Sequence, residues 1–115
     1  MIQRIDVGPR MSEAAIHNGL VYLAGQVATG AATDIGGQMR EVLAAIDALL
    51  AKAGTDKSRV LRAQIFLADM ADFAGMNAVW DQWVVPGHTP ARATVQAALA
   101  KPQWKVEIVI TAALP

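Results

Sequence analysis

Residues 60–83, VLRAQIFLADMADFAGMNAVWDQW, change their hydrophobic period partway along, and that change decides the fold class. From Val60 to Leu67 the side chains alternate, with Leu61, Ala63, Ile65 and Leu67 on one face and Arg62 and Gln64 on the other. That is the two-residue period of a strand. From about Ala71 to Trp83 the period lengthens. Phe73, Met76, Val79, Trp80 and Trp83 then share the core-facing side of a helix, which Pro86 and Gly87 end. Upstream, Ile35, Met39, Val42, Leu43, Ile46, Leu49 and Leu50 recur at helical spacing, with Asp34 as the N-cap and Gly54 as the stop. Gly36 and Gly37 lack the spacing of a phosphate loop and read as a loose helix start. The glycine-bounded run Gly19–Val27, GLVYLAGQV, reads as a buried strand, with shorter strands at Met1–Val7 and Ala14–His17 before it and a small-residue loop, Ala28–Thr33, after it. Two more strands, Arg92–Ala97 and Trp104–Ala112, flank a turn containing Pro102. The order β-β-β-α-β-α-β-β predicts one α+β domain over residues 1–115, with both helices on one face of a sheet.

Composition narrows the function classes. Of 115 residues 54% are hydrophobic, and no Pro/Gly/Ser-rich linker divides them, so a single core is expected. Ten Lys and Arg balance ten Asp and Glu without forming a basic stripe, which argues against nucleic acid as the main partner. The chain has no cysteine, which excludes disulfides and thiolate chemistry, and with no N-terminal apolar signal segment a cytoplasmic address is expected. No apolar run reaches the ~20 residues of a membrane span. So much apolar surface on so small a domain points to self-association.

Several polar residues need explaining. In the last strand Trp104, Val106, Ile108 and Ile110 take one face, and Lys105, Glu107, Val109 and Thr111 the other. Alternation likewise groups Arg92, Thr94 and Gln96 against Ala93, Val95 and Ala97. Arg92 and Glu107 read two ways. They form a structural ion pair or solvated strand faces, or else Arg92 offers its planar fork to a carboxylate while Glu107 takes a proton from water. A simple hairpin centred near Leu99 and Ala100 would put them opposite each other and favour the ion pair. Gly25 interrupts an apolar strand, which marks either a bulge or a close approach of ligand to backbone. The spacing alone leaves the Asn77 amide facing solvent, and Trp80 and Trp83 in a core or subunit interface. His17 and His88 are far apart and lack neighbouring carboxylates, so no metal is assigned.

Taken in order, Ala24-Gly25-Gln26, Asp72-Phe73-Ala74 with Met76-Asn77, Pro90-Ala91-Arg92, and Lys105-Val106-Glu107-Ile108 resemble the RidA (YjgF/YER057c/UK114) family across almost the whole chain. The resemblance implies a fold like that of the Bacillus type of chorismate mutase: a homotrimer whose sheets enclose a central barrel, with clefts between subunits and adjacent C-terminal strands separated within each subunit. It also implies an imine or enamine deaminase, needing no cofactor, that hydrolyses 2-imino acids such as 2-iminopropanoate or 2-iminobutanoate to 2-oxo acids and ammonia. Under it Arg92 pairs with the substrate carboxylate, Glu107 positions or activates water, Gly25 contributes backbone contacts and Asn77 lines the cleft. The sequence departs from the common pattern at Met11, where tyrosine is usual, at Ala24, usually serine, and at Thr94, usually cysteine. Those three positions bear on one wall of the cleft and on substrate range. Alternative roles are a trimer that binds 2-oxo acids without turnover, and then an endoribonuclease or chaperone-like role.

Overall fold

The computed structural model describes residues 1–115. Four strands come first: β1 (Gln3–Val7), β2 (Ser12–His17), β3 (Leu20–Leu23) and β4 (Gln26–Val27). Helix α1 (Ile35–Ala53), strand β5 (Val60–Leu67), helix α2 (Phe73–Trp83), and strands β6 (Ala91–Gln96) and β7 (Val106–Ala113) complete the chain. The β2–β3 connection is Asn18-Gly19, both residues with positive φ, the backbone a two-residue hairpin turn demands. The Asp34 carboxylate caps α1 by accepting from Gly37 N–H at 3.3 Å, and Gly54, at φ 87°, ends it. Gly36 and Gly37 are therefore part of a well-capped first turn.

The strands form one mixed sheet in the order β1-β2-β3-β7-β5-β6, with β4 also paired to β7. β5 and β6 run parallel, and the other pairings are antiparallel. The parallel step follows from α2, which carries the chain back between the ends of β5 and β6. Both helices cover one face. Their buried stripe, Met39, Val42, Leu43, Ile46, Leu50, Met76 and Trp80, meets Val21, Ala63, Ile65, Leu67, Val106, Ile108 and Ile110 from the sheet. A side chain at Gly75 would come within 2.8 Å of Ile35 Cγ2, so this glycine lets α1 and α2 approach closely.

Four expectations need correction. Gly19–Val27 is not one strand. Four residue steps from Tyr22 to Gln26 face three from Thr111 to Ile108, so Ala24-Gly25 forms a bulge between β3 and β4. Leu61 does not share the buried face of β5, because a register irregularity between Val60 and Arg62 turns it outward, 49% exposed. Phe73 is not in the core either: a 3₁₀ turn, Met70–Asp72, leads into α2, and Phe73 in its first turn is 37% exposed. The final strand starts at Val106, two residues later than the alternation suggests. Between the two arrangements open for the C-terminal strands, β6 and β7 take the one the family resemblance implies: they are not a hairpin, since β5 lies between them.

Candidate active site

Register fixes where Arg92 and Glu107 point. Arg92 pairs with Ala63, which is fully buried beneath the helices, and Glu107 pairs with Phe66 on the same central strand and with Val27 of β4. Ala63 and Phe66 are an odd number of residues apart and so face opposite ways. Arg92 therefore lies on the helix-covered side at the edge strand, and Glu107 on the uncovered side near the sheet centre. An ion pair between them within one chain is excluded. The ion pairs present are Lys52–Asp6 and Lys105–Asp72, both at the surface.

Around Arg92 the helix side supplies a preformed cradle. Its Nη1 donates to Asn77 Oδ1 at 2.7 Å, and the guanidinium carbon lies 5.3 Å from the centre of the Trp80 ring and 6.0 Å from that of Phe73. Such ring contacts hold a cation for about 0.5–2 kcal/mol without neutralising it. Asn77 thus faces Arg92 and not solvent, and Trp80 is both core and support. Two residues along the same face, the buried Thr94 Oγ1 has no hydrogen-bond partner in the chain. A charged fork without a carboxylate, beside an unsatisfied hydroxyl, suits a small anion carrying several acceptor oxygens.

The other half lies at the bulge. A Cβ on Gly25 would fall 2.2 Å from Glu107 Oε2, so the carboxylate occupies the space any larger residue would need. Of the two readings of Gly25 the structure shows the bulge, with the carboxylate of Glu107 from the same chain lying directly against its backbone. Gln26, buried beside it, donates from Nε2 to Glu13 Oε2 and to Ala24 O, each at 3.1 Å, and Ala24 N–H donates to Glu13 O at 2.9 Å. Ala24 is held in this knot, and Met11 lies exposed just before β2, two residues from Glu13. Gly25 and Ala24 lie with Glu107, and Asn77 and Thr94 with Arg92; Met11 sits at the entry to β2, its carbonyl accepting from Gly8 N–H at 2.8 Å.

One positioning residue escaped the sequence reading. Gln38, 2% exposed, donates from Nε2 to Ala32 O at 3.2 Å and to Gln103 O at 2.9 Å, and its Oε1 accepts from Lys105 N–H at 2.8 Å. It fastens the loop after β4 to the loop before β7, the two approaches to the Gly25–Glu107 contact. Its place on the buried stripe, three residues after Ile35 and four before Val42, was the available signal. His17 and His88 are exposed, and the chain has no cluster of three or more His, Cys, Asp or Glu suited to hold a metal ion. No helix is long and apolar enough to cross a membrane.

These features define a class: an α+β subunit carrying an uncompensated arginine on one side of its sheet and a carboxylate packed on a glycine bulge on the other. Residues 1–114 match the family model described as Endoribonuclease L-PSP. A RutC family protein of Haemophilus ducreyi is 56% identical over 114 residues, covering 99% of this chain and 97% of its own, and the RutC family protein YoaB of Escherichia coli is 51% identical over 113 residues, covering 98% of each. A crystal structure of a YjgF family member from Neisseria meningitidis superposes with a TM-score of 0.98 at 50% identity, over 100% of this chain and 96% of that one. The chain belongs to the YjgF/RutC family, and its mixed sheet with two helices is the chorismate mutase-like α+β fold.

Proposed function

We propose that this protein is a homotrimeric imine deaminase that hydrolyses 2-imino acids, or their enamine tautomers, to 2-oxo acids and ammonia at clefts shared between subunits. The observation that carries the reading is Arg92, held by Asn77 and Trp80 yet paired with no carboxylate of its own chain. A substrate carboxylate would complete it, with Thr94 Oγ1 as an additional donor. Because Glu107 points from the other face, a second copy must bring its Glu107 and Gly25 to the first copy's edge strand. The uncovered face, with Tyr22 and Val95 exposed and Phe66 and Val109 half-buried, offers apolar surface for that contact.

The chemistry asks little beyond placement. A protonated imine carbon is already electrophilic. Water oxygen adds to it as Glu107 takes a proton and the C=N π pair moves to nitrogen; that proton passes to the amine, and as the C–N bond breaks with its electrons on nitrogen the carbinol O–H proton goes to Glu107, leaving ammonia and the 2-oxo acid. No cofactor or metal enters this sequence. The endoribonuclease description of the family model finds no support in the charge, since ten cations offset ten anions with no basic stripe to track a phosphate backbone.

The test generates imines in situ with an amino acid oxidase and follows their capture by semicarbazide. Wild type is expected to reduce capture, and Arg92→Ala to lose most of that effect. Equal rates for the two proteins would refute Arg92 as the anchor. If Glu107→Gln abolishes hydrolysis while 2-oxo acid affinity is kept, Glu107 handles protons; a wild type that binds 2-oxo acids but never accelerates hydrolysis would make the protein a binding trimer instead.

A further inference from the structure

Glu107 borders a second feature that the hydrolytic reading leaves unused. Glu107 also lines an open pocket of about 220 Å³ whose other walls are Phe66, Ala97, Ala98, Leu99 and Ala100, so that Glu107 is its one polar wall. We infer that this cavity receives the substrate side chain, so the preferred imines derive from larger apolar amino acids of the leucine, methionine or phenylalanine type and not from alanine. The inference rests on the imine-hydrolase reading for where the reacting carbon lies, next to Glu107.

Size and lining both point this way. The pocket is open on one side, and its volume of about 220 Å³ has room for a branched chain or a phenyl ring, whereas a methyl group would leave most of it unfilled. The room exists because three of the four loop residues are alanines. The start of the wall is anchored, since Ala97 N–H donates to Leu67 O at 2.9 Å, and the segment after the loop is held by Ala68 N–H donating to Lys105 O at 3.0 Å and by Gln38 binding Gln103 and Lys105. Lys101, the nearest loop cation in sequence, lies over the Trp104 ring at 5.2 Å and does not line the cavity. A basic substrate side chain would meet apolar walls except at Glu107, which the reading commits to the reacting water, and a hydrophobic site discriminates by about tenfold or more for each methylene it buries.

The experiment measures kcat/KM of the intact protein for imines made in situ from alanine, leucine, phenylalanine and arginine. Leucine- and phenylalanine-derived imines are expected to exceed the alanine-derived one by about tenfold or more. Ala98→Leu and Ala100→Leu, each checked for retained assembly, should collapse that ratio towards one by filling the space, while Arg92→Ala should lower all substrates together and keep the ratio. Equal rates for all side chains, a preference for the arginine-derived imine, or an unchanged ratio in both filled variants would overturn the assignment and leave the hydrolase reading intact. If no imine is hydrolysed, the hydrolase reading fails and the cavity is judged by calorimetry alone. Binding of 4-methyl-2-oxopentanoate about tenfold tighter than pyruvate supports it, and equal affinities refute it.

Discussion

The two halves of the site are built by different means: Arg92 is steadied by side chains of α2, whereas Glu107 is placed by backbone, through the Ala24-Gly25 bulge and the loops that Gln38 joins. A side-chain cradle can lose one member and still hold the guanidinium approximately. A backbone setting has less tolerance, since moving a loop moves everything attached to it. The difference also assigns roles. The cradle presents a fixed positive charge and suits binding, while the bulge holds a carboxylate against open space and suits proton transfer.

The comparison predicts a graded series. Glu107→Gln removes the proton acceptor and is expected to lower kcat by about 10²–10⁴-fold with little change in 2-oxo acid affinity. A loss in affinity with unchanged kcat would reverse the roles of the two halves. Arg92→Ala removes a charge-assisted contact worth about 1.5–3 kcal/mol and should weaken binding of 2-oxo acids by roughly 10–150-fold, measured by calorimetry. Arg92→Lys should recover only part of this, because an ammonium cannot both meet Asn77 and present a planar fork.

Gln38→Ala leaves Lys105 N–H and two carbonyls without their partner, at a cost of about 1–3 kcal/mol in chemical denaturation. Because the loops it ties flank Glu107, kcat should fall more than 2-oxo acid affinity; Gln38→Glu, which keeps the acceptor for Lys105 N–H, should recover part of kcat. A pure stability loss with unaltered kcat would confine Gln38 to the fold. Asn77→Ala is the mildest change. Trp80 still supports the guanidinium, so a several-fold rise in KM is expected, equivalent to about 0.5–1.5 kcal/mol.

Much of this architecture is legible in the chain because local period carries it. The stripe of α1 and its Asp34 and Gly54 caps follow from spacing, and so does the alternation of β7, where Val106, Ile108 and Ile110 are buried as expected. Long-range order is not local. Nothing in the spacing of Arg92 and Glu107 reveals that β5 lies between their strands, and the hairpin that would pair them is as consistent with alternation as the true topology. Leu61 and Phe73 misled for a related reason. Each keeps its element's period, but an irregularity in β5 and the edge position of the first turn of α2 override it. Thr94 and Asn77 enter through the family resemblance; the Asn77–Arg92 hydrogen bond and the unpartnered Thr94 hydroxyl needed three-dimensional placement.

The central claim is that one cleft takes Arg92 from one copy and Glu107 from another, and complementation tests it directly. Arg92→Ala and Glu107→Gln chains carrying different tags would be co-expressed and the mixed trimers purified through both tags. By rotational symmetry each mixed trimer regains one cleft with both groups intact, so activity should return to about one third of wild type. Mixed trimers as inactive as either parent would contradict the account and mean that each chain works with its own Arg92 and Glu107.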